Sequence, residues 1–342
     1  MPLYTGTSGN DTITGSSSDD HIRGLGGNDI LYGGYGNDLI MGGTGADQLY
    51  GEAGNDELYG EDGNDYLVGG FGADIMYGGA GDDYIVSGVG AAWDGMVDTI
   101  DGGSGIDTWQ VDFSSYAAAI TIIMPTSPTA TVSTPYATFS GIESFVMRGT
   151  NFNDTIFGGI YRDDLYGGAG DDALQGGGGD DYLYGEAGSD ALLGGDGNDL
   201  LVGGDGKDYL VGETGNDTLY GDAGDDEMQG IGGADAMYGG AGDDDYLYYS
   251  ITDSTVASSG RDRIYDFATG DQLDLSRIDA NSTLAGDQAF TFSGGAAAYS
   301  VWAATAGGIT SVYADVNGDA LADFQVDLMN GYVIASAADF IL

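Results

Sequence analysis

Apolar positions in this chain recur every nine residues, a spacing that fits neither an amphipathic helix nor a simple alternating strand. One apolar residue returns in strict register from Ile13 through Ile22, Leu31, Ile40, Leu49, Leu58, Leu67 and Met76 to Ile85. A second run goes from Ile156 through Leu165, Leu174, Leu183, Leu192, Leu201, Leu210, Leu219 and Met228 to Met237, with Tyr246 as its last, aromatic member. Two residues before each stands an aspartate, and five residues before each aspartate stands a glycine. The unit reads Gly-Gly-x-Gly-x-Asp-x-Leu-x, as in Gly33-Gly34-Tyr35-Gly36-Asn37-Asp38-Leu39-Ile40-Met41. Its glycine-rich first six residues predict a tight turn with positive φ values. Its last three alternate outward, inward, outward and predict a short strand. Turn plus strand makes half a coil, so eighteen residues make one coil with two opposed parallel sheets. Stacked coils then place like residues about 4.8 Å apart, with position eight filling a thin interior ladder.

The expected fold class is therefore all-β: two parallel β-roll (β-solenoid) blocks with a β-strand spacer and a C-terminal β cap. The blocks span residues 1–110 and 149–247, the spacer 111–148 and the cap 248–342. An insertion at Ser87–Ala92 breaks the phase, and two degenerate units follow with Asp98 and Asp107 in the aspartate place. Ala119–Met124 and Ser144–Met147 read as ordinary strands of the spacer, and Arg263–Phe267 as a strand of the cap. Ser18, Phe152 and Tyr161 replace the second conserved glycine near the block starts, as capping repeats with a single neighbour would.

Charge changes the picture from a fold to a chemistry. The chain has 342 residues, 66 of them glycine, with 56 acidic against 7 basic side chains and a formal net charge of -49. A compact state with so much like charge repels itself unless counter-ions bind. Nucleic acid and anionic membranes both need basic surface, so neither is an expected partner. Cations are. There is no cysteine, so neither a disulfide framework nor thiol chemistry is available. Residues Met1 to Gly6 lack the basic and apolar regions of a cleavable signal peptide, and no apolar run approaches the ~18 residues of a membrane helix. No membrane insertion is expected.

The aspartates of neighbouring coils, with turn carbonyls freed by the glycines, predict an all-oxygen cage. Such a cage suits Ca²⁺, which accepts six to eight oxygens, better than Mg²⁺ or zinc. The expected ligands in the first block are Asp29, Asp38, Asp47, Asp56, Asp65, Asp74 and Asp83, with the carbonyls of Gly33, Gly42, Gly69 and Gly78. Those in the second are Asp172, Asp181, Asp190, Asp199, Asp208, Asp217, Asp226, Asp235 and Asp244, with Gly167, Gly176, Gly194 and Gly203. Asp11, Asp20, Asp154 and Asp163 at the block starts, and Asp98 and Asp107, form less regular sites. Arg162 and Lys207 occupy the position before the aspartate, which usually carries Asn or Asp, and weaken the sites beside them. Sites between coils number about 16 at most on this geometry. One buried apolar residue per nine is a thin core against the entropy of ordering so much glycine, so ion binding is expected to supply folding free energy.

The nonapeptide resembles that of the RTX (repeats-in-toxin) calcium-binding family with its hemolysin-type β-roll. The segment Ile264-Tyr265-Asp266-Phe267-Ala268-Thr269-Gly270-Asp271 and its continuation to Asn281 resembles the C-terminal domain of serralysin-type metalloproteases. So do Asp315-Val316-Asn317-Gly318-Asp319, Ala322-Asp323-Phe324 and the terminal Asp339-Phe340-Ile341-Leu342. The resemblance implies export by the type I secretion machinery of a Gram-negative bacterium, and folding outside the cell or at its surface. Asp315, Asn317, Asp319 and Asp323 also have the spacing of the first part of an EF-hand loop. Ala320 stands where that loop wants glycine and Val326 where it wants a bidentate glutamate, which favours a polar turn.

Catalysis has few candidates. The chain's single histidine, His21, cannot build the His-Glu-x-x-His zinc site of the serralysins, and no Gly-x-Ser-x-Gly elbow is present. His21 is expected on an exposed outward strand position. The leading expectation is a secreted, non-catalytic calcium-binding protein of a surface or matrix. The alternative is a folding and secretion module of a hydrolase or polysaccharide-modifying enzyme whose catalytic domain lies elsewhere. A glycan or surface protein is a further candidate partner, because Tyr166, Tyr184, Tyr220 and Tyr238 form an outward stripe. The same stripe also reads as a ladder that stabilises its own sheet.

Overall fold

The computed structural model describes residues 1–88, 94–124, 130–281, 288–334 and 336–342. It is all-β, with 50% of residues in strands and 2% in helices, and forms a parallel β-solenoid of about 13 turns. The insertion at Ser87–Ala92 falls mostly outside the described residues. The chain divides into two compact units, Met1–Leu165 and Tyr166–Leu342.

In the first unit alternate strands build two sheets. One runs His21–Gly26, Leu39–Thr44, Glu57–Asp62, Ile75–Ala80 and Asp98–Ser104, each parallel to the next. The other runs Ile30–Tyr35, Gln48–Ala53, Tyr66–Phe71, Tyr84–Val86 and Thr108–Asp112. Partners are eighteen residues apart in the regular part, Leu31 beside Leu49 beside Leu67, as the period requires. These ladder residues are wholly buried. Strands are longer than the expected three residues. They run six, through positions seven to nine and on into the glycines, because like positions stack and the ladder of backbone bonds continues across them. The chain bends where position two turns left-handed, as at Gly34 (φ 106°) and Gly43 (φ 119°).

The strands expected in the spacer are present as Thr121–Ile123 and Ser144–Arg148. Ser144–Arg148 pairs with Thr108–Asp112, and Ala137–Ser140 with Asp98–Ser104, so this segment extends both sheets of the roll. Here the interior ladder widens from aliphatic to aromatic: Trp109 packs 4.9 Å from Phe139, and Phe145 lies 6.4 Å from Trp109.

In the second unit Tyr182–Ala187, Leu200–Asp205, Thr218–Ala223 and Ala236–Ala241 form one sheet. Ala173–Gly178, Ala191–Asp196, Tyr209–Thr214 and Glu227–Gly232 form the other. The cap continues both. Arg263–Ile264 follows Ala236–Ala241 and leads to Phe324–Leu328, the edge of an antiparallel meander with Ile309–Ala314 and Ser300–Ala306. On the opposite face Gln272–Asp274 follows Asp245–Leu247, and Phe340 pairs with Leu273 as the last rung.

Candidate metal-binding columns

The nine-residue period brings the position-six aspartates into columns along the turns. Asp29, Asp38, Asp47, Asp56, Asp65, Asp74, Asp83, Asp98 and Asp107 are all buried in the first unit, and Asp172 through Asp244 in the second. Each column is tied by one repeated bond. The backbone N–H of Asp29 donates to Oδ1 of Asp47 at 2.7 Å, that of Asp47 to Asp65 at 2.8 Å, and that of Asp199 to Asp217 at 2.9 Å. The other oxygen, Oδ2, is left over. It is buried without a hydrogen-bond donor at Asp29, Asp38, Asp47, Asp56, Asp65, Asp74, Asp83 and Asp107, and at Asp190, Asp199, Asp208, Asp217, Asp226, Asp235 and Asp244.

Beside these oxygens lies the position-one glycine, and the space its missing Cβ would fill identifies what converges there. A Cβ on Gly33 would meet Oδ2 of Asp38 at 2.5 Å and the carbonyl oxygen of Gly51 at 2.7 Å. Gly42 sees Asp47 and the Gly60 carbonyl, Gly78 sees Asp83 and the Gly102 carbonyl, and Gly194 sees Asp199 and the Gly212 carbonyl. Gly167 sees Asp172 and the Gly185 carbonyl, while Gly69, Gly176 and Gly203 face Oδ2 of Asp74, Asp181 and Asp208. Any side chain here would displace two oxygens, which is why glycine holds the place. No three acidic or imidazole side chains converge among the described residues, so a cation held in these turns draws most of its ligands from backbone carbonyls. A buried orphan carboxylate oxygen beside convergent carbonyls is a hard, all-oxygen donor set, and it fits Ca²⁺.

Electrostatics point the same way. Burial pushes the Asp56 and Asp244 carboxyls up to about 7 and Asp217 up to about 8, despite the N–H bond each accepts. Carboxylates of adjacent coils add to the rise.

The block starts differ. At Asp11, Asp154 and Asp163 the second oxygen is taken by a backbone N–H of its own turn, from Thr7 (2.6 Å), Thr150 (2.5 Å) and Gly159 (2.7 Å). Asp20 takes Ser16 in the same way at 2.5 Å. At Asp20 the oxygen left over is Oδ1, which is buried without a hydrogen-bond donor.

Three members of the columns depart from the eighteen-residue coil spacing. Glu143 accepts from the N–H of Asp107 at 2.8 Å, Asp262 from Asp235 at 3.0 Å, and Asp271 from Asp244 at 3.1 Å. Asp262 and Asp271 each lie 27 residues beyond their partners, three periods, and keep the Asp-x-apolar triplet in Asp262-Arg263-Ile264 and Asp271-Gln272-Leu273. That triplet was the available signal. Asp266 stands five residues before Asp271, in the glycine place, and its carboxylate accepts the N–H groups of Gly239 and Gly240, both at 3.0 Å. Position five forms a second side-chain column. Its Asn or Asp oxygen accepts the N–H of position five one coil later, as Asn37 does from Asn55 at 2.8 Å and Asp180 from Asn198 at 2.7 Å. At that position Lys207 instead reaches Glu227 at 2.9 Å, and Arg162 reaches Asp164 at 3.2 Å.

The turn with EF-hand-like spacing is built differently. Asp315 is fully buried, and its two oxygens accept from the N–H groups of Asn317, Gly318, Ala320 and Tyr299. Burial alone would raise this carboxyl, but those bonds outweigh it and hold it below the usual range. Asp323 accepts from Val316 and Asn317, and Asp319 from Leu321. His21 is half-buried rather than exposed, with Nε2 enclosed and without a hydrogen-bond partner, because the stacked coils shield the strand start. The tyrosine stripe is a ladder of parallel rings: Tyr166 on Tyr184 at 4.9 Å, Tyr220 on Tyr238 at 4.6 Å, and Tyr238 on Tyr265 at 4.7 Å. No helix among the described residues is long and apolar enough to cross a membrane.

Residues 5–40, 32–67, 59–91, 148–183, 166–201, 184–219, 202–235 and 211–246 match the family described as RTX calcium-binding nonapeptide repeat (4 copies). No curated protein matches the chain. Among solved structures, the AlgE6R3 subunit of the Azotobacter vinelandii mannuronan C5-epimerase is 26% identical over 42% of this chain and 79% of that one, with a TM-score of 0.33. The AlgE6R2 subunit of the same epimerase is 21% identical over 56% of this chain and 88% of that one, with a TM-score of 0.27.

Proposed function

We propose, for a chain that belongs to the RTX calcium-binding nonapeptide-repeat family, a secreted protein that folds on meeting extracellular Ca²⁺ and then serves as a non-catalytic surface, matrix or interaction protein. The supporting observation is the row of buried Oδ2 atoms without donors. A buried carboxylate that lacks a partner is costly, and stacking such groups at every coil compounds the cost. Calcium would be held by the position-six aspartates from Asp29 to Asp107 and from Asp172 to Asp244, with the glycine carbonyls beside them. It would supply positive charge where none of the chain's own side chains can, up to about 16 ions in all. Asp315, Asn317, Asp319 and Asp323 form a turn that completes itself, and the reading places no ion there.

Export by type I machinery fits a cysteine-free chain whose folding waits for an ion. The position-six aspartates are assigned here to ion binding rather than to acid–base catalysis. A calcium titration followed by far-UV circular dichroism and small-angle scattering tests the reading. The chain is expected to be expanded without calcium and β-rich at millimolar calcium; a spectrum unchanged by chelator would overturn it. Secreted material carrying a catalytic domain on a larger precursor would favour the enzyme-associated alternative.

A further inference from the structure

We propose that an open groove on one sheet of the first unit binds a neutral hexopyranose polysaccharide, gripping one sugar ring between Tyr35 and Phe71. The groove has a volume of about 430 Å³, is open to solvent, and is lined by Tyr35, Phe71, Ala53, Tyr50, Val68 and Glu52. Register sets this up. Tyr35 pairs with Ala53 and Ala53 with Phe71, so the three stand on consecutive rungs of one row. Both aromatic side chains are unusually open, 70% and 57% exposed.

Elsewhere the same fold fills consecutive rungs with rings that stack on each other. Tyr32 lies 5.0 Å from Tyr50, and Tyr59 lies 5.0 Å from Tyr77. In those ladders the ring faces are occupied by neighbours. The row of Tyr35, Ala53 and Phe71 is such a ladder with a methyl group on its middle rung. Two strand steps separate its rings, roughly 9.5 Å, the span in which one further ring-sized body fits with a face against each wall. The gap is one ring wide.

Charge narrows the occupant. The chain carries -49 formal charges, and Glu52 puts a carboxylate at the middle rung. Uronate and sulfated polymers are repelled. A basic peptide would be drawn to the whole acidic surface and has no reason to select this row. A sugar ring offers apolar C–H faces to the two walls and hydroxyl donors to the Glu52 carboxylate, matching both features together.

The proposal rests on the reading of a calcium-folded roll, because the row exists only when the coils are stacked. Its test uses the full-length chain in saturating calcium, by affinity electrophoresis in gels containing laminarin, hydroxyethyl cellulose or galactomannan, with alginate as the anionic comparison. Retardation is expected with at least one neutral polymer and not with alginate. Tyr35→Ala and Phe71→Ala should each weaken it about tenfold or more, as loss of an aromatic anchor does. Ala53→Trp should abolish it by filling the gap. Circular dichroism of every variant separates the two ideas: a folded roll that no neutral polymer retards overturns the groove alone, whereas a roll that ignores calcium overturns the reading beneath it. Retardation untouched by Ala53→Trp would also overturn the proposal. So would self-association, seen by sedimentation and lost in Phe71→Ala, which would make the row a contact between copies.

Discussion

Asp217 and Asp315 are both buried aspartates in glycine-containing turns, yet their carboxylates live in opposite conditions. Asp217 accepts one N–H from the preceding coil on Oδ1, keeps Oδ2 without a donor, and is pushed up to about 8 by burial and by the carboxylates around it. Asp315 collects four N–H groups from its own neighbourhood and is held below the usual carboxylate range. The difference is where the donors come from. A turn that curls around its carboxylate supplies them itself. A turn that must stack flat on identical turns points its N–H groups along the solenoid and has none to spare for Oδ2. The first kind of turn is complete; the second is half a binding site.

The largest effect should come from taking the ion away. Chelation at neutral pH is expected to abolish most of the β signal of the repeats, read by circular dichroism, and millimolar calcium to restore it. Next come substitutions at the two aspartates. Asp217→Ala leaves the buried N–H of Asp199 unpaired and should cost about 1–3 kcal/mol, with a loss in melting temperature that grows as calcium is raised, because the wild type gains from an ion the variant holds less well. Asp315→Ala strands its own loop's donors for a similar cost, but the loss should be the same at 1 mM and 20 mM added calcium, roughly the range over which weak sites fill. A calcium-sensitive Asp315→Ala would erase the contrast.

A smaller effect follows from pH. Column carboxyls at about 6 to 8 in the folded state, against an ordinary value near 4, bind protons more tightly folded than unfolded. Their contribution to stability is therefore fully present below about pH 4 and is lost as pH rises through about 6 to 8. In chelator, the chain should show more β structure at pH 5 than at pH 8, with protons standing in poorly for calcium. The opposite order would contradict the burial argument. Smallest of all is Lys207→Ala, which removes an exposed ion pair to Glu227 and should change stability by less than about 0.5 kcal/mol in a thermal melt.

Much of this was readable from the chain. A nine-residue register with aspartate at position six gave the coil length, the interior ladder and the two columns, because a solenoid repeats in space what it repeats in sequence. The register failed where the coil changes length. Asp98 and Asp107 were legible as column members beyond the insertion, 24 residues after their partners, whereas Glu143, Asp262 and Asp271 take column places after 36, 27 and 27 residues, and only the folded chain shows that these intervals close a coil. Asp315 was ambiguous for another reason: the spacing of its loop fits a cation site, and the direction of its backbone N–H groups, invisible in sequence, decides the geometry. The row of Tyr35, Ala53 and Phe71 was hidden because its members are eighteen residues apart and unremarkable one at a time.

The bonds of the two side-chain columns also give the roll an order of assembly. Position six hands its oxygen to the coil before it, whereas position five hands its oxygen to the coil after it. Position-five N–H groups are exposed and can wait in water, but the position-six N–H groups are buried and cannot. A coil laid down on the N-terminal side of an existing stack thus finds its buried donor answered at once, while one added on the C-terminal side leaves its own unanswered until the next arrives. The cap breaks this dependence, since the N–H of Asp262 is received by the hydroxyl of Ser254 at 2.9 Å and needs no further coil. In the second unit the cap is the natural starting point, and the coils close from it toward lower residue numbers.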